Sequence, residues 1–318
     1  MKVLNINKDI LILGLNHDQL PYIKIIKQLG YKIFGIDKNL AAPGKKYCDY
    51  FLKTSYTNEK KIIKFLILKK FSSKGFFFTA ASQISLLSLA KIAKKLNIKF
   101  IQPSIIDKCI DKRKMNKLFI KNEIPIPKTK YISKRKVIVD KTKEYFLKSD
   151  YGKSPNYCYF IKNGNTPTLP HKDDFYKKYF LLQEKINGHH FRVNFLNGNF
   201  FIFKKITDQI CYPVVKLSKY SKKIKNKIIK FVNSTKLNKF LIKFDLIITE
   251  NNWYIIDIGF DPPKRLEHLM IFMNNDFYKA YVYNWLDKKN LFHNFKLNNL
   301  NKLIIKINKS GKTKVFKK

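Results

Sequence analysis

The residues that most constrain this chain run from Phe240 to Arg265, FLIKFDLIITENNWYIIDIGFDPPKR. Two apolar runs, Leu241 to Ile248 and Trp253 to Ile258, flank Thr249-Glu250-Asn251-Asn252. β-branched and aromatic residues on either side of a short polar turn predict an antiparallel hairpin. Asp245 interrupts the first run and Asp257 nearly closes the second. A carboxylate set in an apolar strand needs a cation beside it. Two acids on adjacent strands can converge on one face, and hard oxygens of this kind suit a Mg²⁺ ion that also touches substrate phosphates. Asp245 paired with a lysine, with Asp257 merely ending its strand, would satisfy the same pattern.

The start of the chain has a different rhythm. Asp9-Ile-Leu-Ile-Leu-Gly14 is an apolar run closed by glycine, a helical stretch follows from Gln19 to Leu29, and Tyr31-Lys-Ile-Phe-Gly-Ile-Asp37 is the next strand. Further strands are expected at Tyr50, Gly75 to Thr79 and Phe100 to Pro103, with helices from Glu59 to Lys70 and Ser82 to Leu96. Alternation of this kind predicts a doubly wound α/β domain over residues 1–107. GxGxxG is absent, which weakens any dinucleotide reading, and His17 is a lone loop histidine after the first strand.

A helix is expected from Asp107 to Lys121, before Pro125 and Pro127 force an extended entry into new structure. A small module over 108–182 and a larger one over 183–318 complete the division. In the small module a strand carrying Lys148 runs into Gly152-Lys153-Ser154-Pro155. A point charge beside a loop of small residues suits a phosphate. After Gly188, His189 and His190 lie on a strand and so point to opposite faces. His190 and Arg192 share a side, and Lys204 on the following strand is expected to join them. Cations opposite two aspartates fit a polyphosphate with its Mg²⁺; a solvated sheet face fits the same residues. The loop from Asp208 to Val215 is expected to face substrate, and no chemistry is assigned to the C-terminal tail.

Lysine and arginine number 65 against 22 acids, a formal charge of +43. Only Arg113, Arg135, Arg192 and Arg265 are arginine, and the lysines are spread along the chain, many on solvent faces of amphipathic helices. That distribution argues against a dedicated nucleic-acid partner, leaving weak binding at low salt. No run reaches the roughly 18 apolar residues of a membrane span, and the N-terminus lacks the apolar core of a signal peptide, so a cytoplasmic protein is expected. Cys48, Cys109, Cys158 and Cys211 form no CxxC pair and are expected to be buried free thiols.

In order, "AAPGKKYCDYF", "DKRKMNKLFIKNEIPIPKT", "FLKSDYGKS", "QEKINGHHFRVNFLNG" and "FDLIITENNWYIIDIG" resemble the ATP-grasp superfamily of carboxylate-amine ligases over roughly residues 9 to 270. The resemblance implies an α/β N-terminal domain followed by an α+β ATP-grasp domain whose two subdomains clasp ATP. It places Lys112 and Lys148 on the phosphates and Glu184 and the Ile186 backbone on the adenine. His190 takes a ribose position where those enzymes have an acid, and Arg192 lies near the transferring phosphate or the substrate. Asp245 and Asp257 would hold Mg²⁺, or Mn²⁺ in its place. The family pattern Glu-x-Asn is Asp257-Ile-Gly259 here, with Asp261 as the substitute ligand, and the phosphate loop has few glycines. Arg265 would hold the substrate carboxylate. The implied reaction joins a small-molecule carboxylate to an amine through an acylphosphate. The altered motifs also fit a protein of this fold that binds a nucleotide without turnover.

Overall fold

Each of the first apolar runs is short, and helices separate them, so they pair in parallel. In the computed structural model, β1 (Asp9–Leu13), β2 (Lys32–Asp37), β3 (Tyr50–Lys53) and β4 (Phe76–Phe78) form a parallel sheet in the order β3-β2-β1-β4. The structure describes residues 9–72, 76–78, 82–132, 139–150, 158–165, 180–196, 198–207, 210–214, 217, 219–238, 240–260, 266–267, 269–270, 276–286, 303–307 and 313–317. Helices α1 (Leu20–Gln28), α2 (Glu59–Leu68) and α3 (Gln83–Lys95) pack against this sheet. All five residues of β1 are buried, as in a central strand covered on both faces. Asp37, the acid at the end of β2, accepts hydrogen bonds from the Leu15 and Asn39 amides at 2.8 Å each, so it pins the loop after β1.

The expected strand at Phe100 to Pro103 and the single helix from Asp107 to Lys121 are replaced by two helices, α4 (Pro103–Ile110) and α5 (Lys112–Lys121). Pro103 starts α4, where its missing N–H costs nothing. Asp111 is extended (φ −79°, ψ 109°), and its carboxylate caps α5 by accepting from the Lys114 amide at 2.9 Å. The break makes Lys112 the first residue of a helix.

The small sheet is antiparallel. Its strands β5 (Thr129–Ile132), β6 (Tyr145–Ser149), β7 (Cys158–Ile161) and β8 (Phe180–Glu184) stand in the order β5-β8-β6-β7. Among the described residues its buried core is Leu147, Ile161 and Leu182. β8 runs two residues past the expected limit at 182, leaving residues 185–188 as the link to the large sheet.

That sheet contains β9 (His189–Leu196), β10 (Asn199–Lys205), β11 (Ile210–Val214), β12 (Ile242–Ile248), β13 (Trp253–Gly259), β14 (Leu303–Ile307) and β15 (Thr313–Lys317). Their order is β13-β12-β9-β10-β11-β14-β15. Part of the expected substrate loop is therefore the strand β11, and the tail adds two strands to the sheet. On β9 and β12, Phe191, Val193, Phe195, Ile242, Phe244 and Leu246 pack with Met115 and Phe119 of α5 and with Phe231 of α6 (Ser221–Thr235). The alternate residues, His190, Arg192, Asn194, Lys243 and Asp245, face the other way. Helix α7 (Phe277–Trp285) joins a second core with β1, α1 and the far strands of the large sheet.

Candidate active site

The hairpin of β12 and β13 closes through Thr249, whose amide donates to the Asn252 carbonyl at 2.8 Å. Its register sets Asp245 directly opposite Asp257, and a bulge after this pair leaves Leu246 opposite Ile255. Bulges of this kind re-aim side chains next to functional sites. On the other side of β12, Asp245 stands opposite Arg192 of β9. One row across three strands thus reads Asp257, Asp245, Arg192.

The two acids have opposite environments. Arg192 grips Asp245 bidentately, Nε to Oδ1 at 2.8 Å and Nη2 to Oδ2 at 2.7 Å, while His190 Nε2 lies 3.7 Å from Oδ1. Burial pushes the Asp245 carboxyl up, but His190 and Arg192 outweigh it and hold it well below the usual carboxylate range. Asp257 makes no ion pair among the described residues. Burial raises its carboxyl, Lys112 pulls it back, Asp245 opposite raises it again, and the net shift is upward.

Lys112 and Lys148 lie within electrostatic reach of Asp257 in this row. Lys112 is fixed where α5 begins, its amide donating to the Asp150 carbonyl at the end of β6 at 2.7 Å. Lys148 donates to Gln183 Oε1 at 2.8 Å, within the small sheet. Burial pulls the Lys148 ammonium below the usual lysine range, against the attraction of Asp257. A cavity of about 100 Å³ is lined by Lys112, Arg192, Lys243, Asp245, Asp257 and Gln83, among others. Gln83, the first residue of α3, donates from Nε2 to the Ile258 carbonyl at 2.9 Å and so ties the N-terminal domain to β13.

The donor set fits one divalent cation. Asp257 is a carboxylate that burial disfavours, which a cation would stabilise, and Asp245 faces it across the strand pair. Asp245 already carries a bidentate arginine, so the described residues offer two carboxylates; among them there is no group of three or more His, Cys, Asp and Glu suited to a metal. Asp261, the expected further ligand, lies outside the described residues, as do Arg265 and the phosphate loop at Gly152 to Pro155.

One expected residue lies on the opposite face from the one the sequence reading gave it. Lys204 pairs with Phe191 and Tyr212, so it shares the face of Phe191 that packs toward α5 and α6. A single residue step reverses a side chain in a strand, and it is Lys205, opposite His190, that shares the face of Arg192. Glu184 pairs with Tyr145, so it lies on the face of the small sheet opposite Lys148, and its carboxylate is 3.2 Å from Lys143 Nζ. Gln183 is the residue beside Lys148. Arg192 is in the cavity, with Asp245 as its immediate partner, and Ile186 lies in the link between the sheets. Cys109 and Cys211 are buried as expected, Cys48 is partly buried and Cys158 is exposed. Burial pushes the Cys48 and Cys109 thiols up to about 12.

Sequence reasoning missed Gln183, Lys205, Lys243 and Gln83. Lys243 was within reach of period-two reading, since it lies two residues before Asp245. Gln83 gave no local signal, because a contact 175 residues away brings it to the site.

No family model and no curated protein matches the chain by sequence. Solved structures do match its fold. An L-amino acid ligase from Bacillus licheniformis superposes with a TM-score of 0.70 at 13% identity, covering 94% of this chain and 79% of that one. An N5-carboxyaminoimidazole synthetase from Staphylococcus aureus, complexed with ADP, gives 0.69 at 15% identity over 95% and 82%. A biotin carboxylase from Campylobacter jejuni gives 0.64 at 17% identity over 94% and 75%. The fold that this chain shares with them is the ATP-grasp fold.

Proposed function

We propose that this protein is an ATP-dependent ligase that activates a small-molecule carboxylate as an acylphosphate, which an amine or similar nucleophile then captures. The observation that carries the reading is the row Asp257, Asp245, Arg192 on the large sheet, with Lys112 and Lys148 within electrostatic reach of Asp257. Cations on both sides of two carboxylates suit a nucleoside triphosphate and a divalent ion better than they suit a neutral ligand. The fold of the ADP-bound neighbour supports the same reading.

Mg²⁺, or Mn²⁺, held between Asp245 and Asp257 would offset charge on the phosphate oxygens. The chain's own groups position and neutralise. Lys148 and Lys112 lie against the phosphates. Arg192 keeps Asp245 ionised and fixed in orientation, and the small sheet covers the cleft from its link at 185–188. In the chemical step an oxygen of the substrate carboxylate bonds to the γ-phosphorus as the bond to the β,γ-bridging oxygen breaks, giving acylphosphate and ADP without proton transfer. The amine then displaces phosphate from the acyl carbon and loses a proton.

Hydroxylamine tests this directly, because it traps acylphosphates as hydroxamates. Incubation with ATP, Mg²⁺ and a panel of carboxylic acids is expected to give ADP and one hydroxamate in equal amounts. Tight ATP binding with neither product, for every acid tried, would favour the second reading, a nucleotide-binding protein without turnover. Gly259, which offers no side chain beside Asp257, is the residue that favours it.

A further inference from the structure

We infer that Lys243 and the Gln83 amide hold the carboxylate of the acid that is to be activated. The inference rests on the nucleotide reading above and assigns the acid a place within that site. Along β12 the residues facing the cavity come in sequence from the link between the sheets: Ile247 opposite His190, Asp245 opposite Arg192, and Lys243 opposite Asn194. Lys243 is therefore one side-chain repeat, about 7 Å, beyond the carboxylate row. The link stands at the near end, next to His189 and Ile248. The N-terminal domain stands at the far end, where Gln83 of α3 reaches the Ile258 carbonyl. A nucleotide whose phosphates lie between Lys148 and the aspartates leaves the far end for the second substrate.

The residues at that end suit an acid. Lys243 is only 7% exposed, unusual for lysine, and it lines the cavity with Asp245 and Asp257. Its cross-strand neighbour on β13 is Gly259, so no side chain from that position crowds it. An amide nitrogen carries two N–H groups, and Gln83 gives one of them to Ile258, which directs the group at the strand end beside Gly259. An ammonium in a poorly solvated cavity attracts a carboxylate far more strongly than one in bulk water. It also offsets the repulsion between an incoming carboxylate and the polyphosphate that the carboxylate must approach. The position selects a small carboxylic acid, bound by one oxygen while the other attacks.

The test is thermal unfolding of the full chain saturated with ADP and Mg²⁺, with and without each of the twenty protein amino acids and the straight-chain C2 to C6 mono- and dicarboxylic acids. At least one acid is expected to raise the melting temperature beyond the shift due to nucleotide. In Lys243→Met the nucleotide shift is expected to persist while affinity for that acid falls about tenfold to a hundredfold, the loss of a hydrogen bond to a charged group. Lys243→Arg is expected to keep most of that affinity, and Gln83→Ala to lose a smaller part. An undiminished acid shift in Lys243→Met would overturn the inference, as would equal loss in Lys243→Arg or a panel in which no acid stabilises the nucleotide-loaded chain. Absence of a nucleotide shift in the wild type would instead refute the nucleotide reading itself.

Discussion

At the scale of single residues the site is a pair of aspartates held in opposite ways. Asp245 has its folded-state carboxyl lowered by His190 and Arg192, so its contribution to stability is present above the unfolded-state value and is lost as pH falls below about 4. Asp257 has its carboxyl raised by burial, so the folded state binds its proton more tightly than the unfolded state does. Stability is therefore lost as pH rises from the unfolded-state value through the folded-state one. Two expected outcomes follow from the contrast. Asp257→Asn should raise the melting temperature of the nucleotide-free chain at pH 7 by a few degrees, on the scale of about 2–4 °C per kcal/mol. Asp245→Asn should lower stability by about 3–5 kcal/mol, because it breaks the bidentate ion pair with Arg192 in a largely buried site. Urea titration at pH 7 measures both, and a gain from Asp245→Asn or a large loss from Asp257→Asn would contradict the assignment.

At the scale of elements, the small sheet and its link decide how the cleft closes. The buried core described for that sheet is Leu147, Ile161 and Leu182, whereas the large sheet shares two extensive cores with its helices. A small core supplies little free energy against local opening. Amides of β6 and β8 should therefore exchange with deuterium faster than those of β9 and β12, and MgATP should slow the first group selectively. Uniform protection across both sheets before nucleotide is added would count against a separately opening lid. Gly188 in the link permits close approach to β12, since a Cβ there would meet the Ile248 carbonyl oxygen at 2.6 Å. Gly188→Ala should displace the link from Ile248 and cost about 1–3 kcal/mol by overpacking, measurable by thermal unfolding. The strands of this region were legible from alternation and turn chemistry. The face of Lys204 was not, because side-chain direction depends on register, and a one-residue error inverts it.

At the scale of the whole molecule, the alternating N-terminal domain and the Asp245/Asp257 hairpin were readable because each depends on local pattern. A late strand at Lys302 to Ile307 was also expected, and β14 occupies Leu303–Ile307; the break at Asp111, the last strand β15 and the Gln83 bridge were not readable, since packing between distant segments decides them. One core joins β1 and α1 to β10, β11, β14 and α7, which makes the N-terminal domain and the far strands of the large sheet a single support for the site. The charge of +43 lies outside this argument: binding to mixed-sequence DNA should fall steeply with salt, vanish near physiological ionic strength and be indifferent to Asp257→Ala. The central claim is that Asp257 and its neighbours hold the metal-bound phosphates of ATP. Its most direct test is thermal stabilisation by ATP, with and without Mg²⁺, in the wild type and Asp257→Ala. Ligand at 100 times its dissociation constant adds about 2.7 kcal/mol. The account predicts a Mg²⁺-dependent rise in the wild type that Asp257→Ala abolishes; no rise in the wild type, or the same rise in both proteins, would contradict it.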